Sequence, residues 1–157
     1  MTPVISNKVQ LTPEGFDELK KELQTLRGNI LSKAISRIAA ARSLGDLSEN
    51  YEYQSAKEDH LTLISRIEEI TDIINRSQII KKSTNNTTVD IGHQVDVAVN
   101  GSDHTFTIVG EWEADPKIKK ISHKSPLGTA LIGKSIGDKV EVKAPVGMII
   151  YTIKAIK

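Results

Sequence analysis

The strongest constraint on the fold of this chain is a pair of apolar seams that mirror one another. In the first, Phe16, Leu19, Leu23, Leu26 and Ile30 recur at steps of three and four, continued more weakly by Ala34, Ile38 and Ala41. In the second, Tyr53, Ala56, His60, Leu63, Ile67, Ile70, Ile74 and Ser77 alternate the same two steps throughout. That spacing keeps side chains on one stripe of a helix, where a partner helix can cover them. Folding the chain back at 44–48 sets Phe16 against Ser77, Leu19 against Ile74, Leu23 against Ile70, Leu26 against Ile67 and Ile30 against Leu63. The two residue numbers of every pair sum to 93. An antiparallel hairpin demands that relation and a parallel dimer does not. With about 28 residues per helix at 1.5 Å each, the hairpin reaches roughly 40 Å.

The first helix carries its own start signal. In "LTPEGF", Thr12 is placed to cap, Pro13 to be the first helical residue and Glu14 to face the positive helix end. Leu11 and Phe16 stand at the two ends of a hydrophobic staple. Gly28, mid-helix, costs roughly 1 kcal/mol against alanine. After the second seam, "KKSTNNTTVDIG" (81–92) breaks the heptads. Beyond it the period becomes two: 94–99, 104–110, 138–144 and 148–156 read as strands, with "NGSD" (100–103) as a hairpin turn. "SPLGTALIG" (125–133) reads as one short helix, capped by Ser125 with Pro126 at its first position. The expected architecture is α+β: an antiparallel coiled-coil arm over 1–80, a linker over 81–92 and a small globular domain over 93–157.

Composition narrows the functions. Hydrophobic residues make up 38 % and charged residues 26 %, which places the chain among soluble folded proteins. Residues 1–82 carry twelve basic and twelve acidic side chains, and 83–157 carry nine and eight. Such balance excludes a protein that neutralises many phosphates unaided. With no cysteine, disulfides and thiolate metal sites are excluded. The opening "MTPVISNKVQ" lacks the pattern of a signal peptide, and no stretch has the ~18 apolar residues of a membrane span. A cytoplasmic protein is expected. His60, His93, His104 and His123 are scattered without metal-ligand spacing, and no phosphate loop or nucleophile elbow occurs. Trp112, Phe106 and Tyr151 are assigned to the core.

The hairpin turn, "SLGDLSEN" (43–50), holds Asp46 and Glu49 three apart. Two readings compete. Asp46 could cap the second helix with Glu49 reaching back, as in a capping box. Alternatively, the pair is half of a Mg²⁺ site, since that ion commonly takes one or two carboxylates and completes its shell from elsewhere. Glu52 lies a turn further on. Arg42 and Lys57 flank the acids and could hold a phosphate, or could form ordinary surface ion pairs.

Taken together, "ARSLGDLSENYEYQSAKE" (41–58), "VGEWEADPKIKKIS" (109–122), "SPLGTALIGKSIGD" (125–138), "PVGMIIYTI" (145–153) and the opening "LTPEGFDELKKEL" (11–23) closely resemble the Gre-type transcript cleavage factors of bacterial RNA polymerase, nearer the GreA branch than GreB. The resemblance covers nearly the whole chain. It implies an FKBP-like globular domain that docks at the rim of the polymerase secondary channel while the coiled coil enters the channel. Asp46 and Glu49 match the tip acids that help hold a catalytic Mg²⁺ shared with the polymerase, with no cofactor in the isolated protein. Arg42 and Lys57 match positions that contact RNA, and Ser125 and Pro126 match a polymerase-docking segment. The implied role is an accessory elongation factor that stimulates the polymerase to cleave the 3′ end of backtracked nascent RNA, without being a complete enzyme. The partners expected are therefore RNA polymerase and that RNA end, with no membrane and a monomer when free. Tyr51 replaces a usual alanine. Leu31-Ser32 replaces a common Arg-Pro, which implies a straighter middle to the first helix.

The competing functions are a channel-binding inhibitor that does not promote cleavage, a peptidyl-prolyl isomerase with a helical arm, and a structural adaptor whose tip acids only cap. The intact acid pair argues against the first, and the 4 % aromatic content weakens the second.

Overall fold

In the computed structural model, residues 8–157 are described, and they form two compact units. One is Asp17–Arg76 and the other is built from the chain on either side of it.

The first unit is a helical hairpin. Helix α1 (Pro13–Thr25) leads through a π turn (Leu26–Ile30) into α2 (Leu31–Arg42), and α3 (Tyr51–Arg76) returns. Polar pairs across the hairpin run antiparallel: Arg66 donates to Glu22 at 2.9 and 3.1 Å near one end, and Asn50 donates to the Ala41 carbonyl at 2.7 Å near the other. Leu19, Ala41, Ala56, Ile67 and Ile70 are buried, as the seams require.

The π turn corrects one seam residue. Ile30 is 41 % exposed, while Leu31 is half-buried. The steps Leu26, Ile30, Ala34, Ile38 are three fours in succession, which overshoots the 3.6-residue turn and would rotate the stripe off its partner. A π turn takes up one extra residue. The stripe then passes from Leu26 to Leu31 and continues through Ala34, Ile38 and Ala41 in regular steps. The expected straighter mid-helix is thus replaced by an irregularity of another kind. At the far end α3 stops at Arg76, so Ser77, assigned to the second seam, begins a strand instead.

The second unit contains a two-stranded parallel ribbon, β1 (Val9–Leu11) with β2 (Ser77–Ile79), and a five-stranded sheet. The sheet comprises β3 (Gln94–Val99), β4 (Ser102–Val109), β5 (Lys120–Ser122), β6 (Lys139–Ala144) and β7 (Gly147–Ile156) in the order β5-β4-β3-β7-β6. Every pairing is antiparallel except β4 with β5. Asn100 and Gly101, both at positive φ, make the two-residue turn between β3 and β4 that "NGSD" announces. The short helix α4 (Pro126–Leu131) supplies Leu131 to a core of Val95, Val97, Ile108, Val140, Ile153 and Ile156. This is the small α+β domain expected of the FKBP-like type.

The boundaries fall differently from the sequence reading. Val9–Leu11 belongs with the globular unit, not the arm. Much of 81–92 is no free linker: Val89 and Ile91 join the core, and Val89 N–H donates to the Lys134 carbonyl at 2.8 Å. His93, fully buried, accepts from Asp90 N–H at Nδ1 (3.0 Å) and so donates from Nε2 to the Ser83 carbonyl (2.9 Å), tying the segment down. Polar composition suggested a linker, but alternate apolar residues inside it found a sheet to pack on.

Thr12 caps α1 as expected, its Oγ1 accepting from Gly15 N–H at 3.1 Å. The reciprocal carboxylate comes from Glu113, 101 residues away. Glu113 accepts from Thr12 N–H at 2.9 Å, from the Thr12 hydroxyl and from Gly110 N–H at 3.1 Å. A Cβ on Gly110 would lie 2.1 Å from the Gln10 carbonyl oxygen, so only glycine lets the strand ribbon approach this clasp. The 3-10 turn Glu111–Glu113 that aims Glu113 inward turns Trp112 outward, 43 % exposed. Its assignment to the core is therefore corrected. Phe106 and Tyr151 are half-buried and meet edge to face, centroids 6.5 Å apart.

Candidate functional site at the tip of the arm

The turn between α2 and α3 begins with ordinary helix termination: Ser43 N–H donates to the Ala39 carbonyl and Leu44 N–H to that of Ala41, both at 3.2 Å. Gly45 follows at φ +118°, a conformation that side-chain-bearing residues rarely adopt, and turns the chain toward Asp46.

Asp46 does not cap α3. Its Oδ1 accepts from Ser48 N–H at 3.0 Å and from the Ser48 hydroxyl at 2.8 Å, a local turn on the outside of the molecule. Those two bonds, the backbone one first, hold its carboxyl below the ordinary range, and nothing else among the described residues claims the second oxygen. Glu49 is exposed and makes no hydrogen bond or ion pair among the described residues. The capping-box alternative is thereby corrected. The cap is Asn50, whose Oδ1 accepts from Tyr53 N–H at 3.0 Å. Asn is among the strongest cap residues and Asn50 directly precedes the helix, so the signal was present.

Glu52, by contrast, is already used. Arg37 donates from Nε to Glu52 at 2.7 Å, to Asp59, and to the Ser55 hydroxyl at 3.3 Å. The hydrogen bond from Arg37 lowers the Glu52 pKa, and the Glu52 and Asp59 carboxylates raise that of Arg37. Arg42 and Lys57, the other cations near the tip, are exposed and have no such partners among the described residues. Tyr51 and Leu44 are also displayed there, 87 % and 75 % exposed. Among the described residues the tip therefore presents two carboxylates free of cationic partners, two unpaired cations and the exposed Leu44 and Tyr51 side chains.

Hard oxygen donors of this kind suit Mg²⁺, but two carboxylates leave most of an octahedral shell unfilled. Among the described residues no third His, Asp or Glu converges on them to form a metal centre.

Ser125 and Pro126 lie away from the tip in sequence, in the globular unit. The Ser125 hydroxyl is committed at both ends, donating to the Ser122 carbonyl at 2.7 Å and accepting from Gly128 N–H at 3.0 Å. Pro126 is exposed. The pair presents a rigid helix start, with Pro126 rather than the serine hydroxyl available to a partner.

The chain thus combines a helical hairpin, whose turn displays two acids without cationic partners among the described residues, with a small α+β domain. Residues 84–157 match the family described as "Transcription elongation factor, GreA/GreB, C-term" and residues 9–79 match "Transcription elongation factor, N-terminal". The chain belongs to the GreA/GreB family of transcription elongation factors. It is 43 % identical over 151 residues to the transcription elongation factor GreA of Thermotoga sp. (strain RQ2), covering 95 % of this chain and 97 % of the relative. It is 40 % identical over 153 residues to GreA of Rhodospirillum rubrum, covering 96 % and 98 %. Among solved structures, GreA factor homolog 1 of Thermus thermophilus aligns over 96 % of this chain and 99 % of its own at 26 % identity, with a TM-score of 0.45.

Proposed function

We propose that this elongation factor acts in the RNA polymerase secondary channel and stimulates the polymerase's own hydrolysis of backtracked RNA. The observation that carries this reading is that Asn50 does the capping, leaving Glu49 without a bond among the described residues and Asp46 with one carboxylate oxygen unclaimed. Family membership and the matching tip motif support it.

In this mechanism Asp46 and Glu49 would be the residues of this chain that help hold a Mg²⁺ ion shared with the polymerase. When bound, that ion offsets charge on phosphoryl oxygens and makes water a better nucleophile. Asp46, with one oxygen fixed by Ser48, offers the other as a ligand. Glu49, two residues before the start of α3, offers a second. Arg42 and Lys57 engage phosphates of the RNA 3′ segment and hold it by the acids. Pro126 and the start of α4 contribute to docking on the channel rim. The work is cytoplasmic, and among the described residues no helix is long and apolar enough to cross a membrane.

The test is RNA cleavage in a purified backtracked polymerase complex with Mg²⁺, comparing wild type with Asp46→Asn combined with Glu49→Gln. Cleavage is expected to fall by about a hundredfold or more, as when a charge-stabilising group is removed from a hydrolytic site. Competition for polymerase binding should be unchanged. Wild-type cleavage by the double variant would leave the acids without a catalytic role.

A further inference from the structure

We infer that Asn50 is the positioning residue of the tip: its side-chain amide latches the ends of α2 and α3 together and so fixes the loop that carries the acids. This rests on the function proposed above.

The amide serves two helix ends at once. Every α-helix leaves its first N–H groups and its last carbonyls without intrahelical partners. Asn50 Oδ1 accepts from Tyr53 N–H at 3.0 Å, satisfying a free donor of α3, and Nδ2 donates at 2.7 Å to the Ala41 carbonyl, which also accepts from Leu44 N–H at 3.2 Å, so the amide ties α3 to the end of α2. The orientation of the amide follows from chemistry, because a backbone N–H can only donate and a carbonyl can only accept. Reversing it would break both bonds.

The bridge closes the loop 42–49, which contains Arg42, Asp46 and Glu49. Inward of it, Ala41 and Ala56 are 2 % and 1 % exposed, small residues that admit close helix approach. Outward of it the loop has only its local turns, such as Ser48 on Asp46. Among the described residues the Asn50 amide is thus the last cross-helix hydrogen bond before the acids. Arg37, the next tie inward, bonds Glu52, Asp59 and the Ser55 hydroxyl and lies further from the loop.

Only an amide at this length both caps and bridges. Asp at position 50 would remain a good N-cap but has no proton to donate to Ala41. Ser would also cap, and it is too short to reach across. Asn50→Asp and Asn50→Ser therefore remove the bridge while keeping the start of α3.

The experiment measures cleavage in the same backtracked complex against factor concentration, for wild type, both Asn50 variants and the tip-acid double variant. Each is also examined free, by circular dichroism and by amide hydrogen exchange. If Asn50 positions the acids, maximal cleavage falls at least about tenfold, as small misplacements of reacting groups do. The concentration giving half-maximal effect stays the same, Tyr53 N–H stays protected, and exchange at Leu44 and Ser48 speeds up. Unchanged maximal cleavage in either bridge-free variant would overturn the inference. So would a loss that merely tracks lost helicity in both. If the tip-acid variant itself cleaves as wild type, the functional reading fails and the Asn50 role falls with it.

Discussion

Glu113 and the pair Asp46/Glu49 are the same chemical group in opposite circumstances. The Glu113 carboxylate gathers three donors, Thr12 N–H, the Thr12 hydroxyl and Gly110 N–H, and is spent on holding the globular unit's polar clasp. The tip acids gather one neighbouring serine between them. A carboxylate whose donors are all protein groups has a structural use, whereas one left facing water keeps its ligand capacity for something else. The same contrast separates Glu52, engaged by Arg37, from Glu49 three residues earlier. Spacing in the sequence did not make that distinction; the partners do.

The largest effect that would break this comparison is on stability. Glu113→Ala leaves Thr12 N–H and Gly110 N–H without an acceptor in a part-buried site, and each such group costs about 1–3 kcal/mol. Urea unfolding should show a loss of about 2–3 kcal/mol, and a change within about 0.5 kcal/mol would mean water replaces the carboxylate freely. Glu113→Gln should fall between, because an amide oxygen still accepts.

A second prediction concerns the arm itself. Deleting Gly28 removes the one residue that the π turn absorbs. The seam would then run Leu26 to Leu31 in a regular step, and α1 would continue into α2 as an uninterrupted helix. Stability should rise by up to about 1 kcal/mol, the usual cost of an interior glycine. Deleting Lys33, beyond the π turn, should instead rotate Ala34, Ile38 and Ala41 by about 100° off the partner helix and weaken the hairpin. Equal outcomes from the two deletions would show that the π turn does not set the register.

At the tip the expected stability change is small. Asp46→Asn with Glu49→Gln removes two exposed charges that no cation pairs with among the described residues, so the unfolding midpoint should match that of wild type. A substantial loss would reveal a structural duty for the acids and remove the difference from Glu113.

Much of this architecture could be read in advance, because it depends on local period and turn chemistry. The mirrored seams fixed an antiparallel hairpin, "NGSD" fixed a β-turn, and Ser125 with Pro126 fixed the start of α4. What escaped was set by partners distant in sequence. Nothing near Thr12 announces Glu113 as the other half of its cap, and Val89 and Ile91 look like loop residues until a sheet lies under them. At the tip the residue types were found and their division of labour was not. Asp46 was a plausible cap by pattern, but Asn50 stands immediately before the first turn of α3 and also reaches Ala41. A one-dimensional pattern cannot show that second bond.

The smallest effect tests how Asp46 is held. Its carboxyl lies below the ordinary 3.8 because the Ser48 backbone N–H, and then the Ser48 hydroxyl, favour the ionised form. With a depressed pKa in the folded turn, these bonds favour the fold above the unfolded value and stop doing so as pH falls through the lowered one. Carbon-13 NMR titration should therefore place the Asp46 midpoint below 3.8. Ser48→Ala removes the hydroxyl and keeps the backbone donor, so the midpoint should rise by the smaller part of the shift. A complete return to 3.8 would mean the hydroxyl organises the whole turn. Cleavage near neutral pH should not change through ionisation in either case, because Asp46 is charged there in both forms. Any loss of cleavage in Ser48→Ala would then report where the carboxylate points, which separates placement of the acid from its charge.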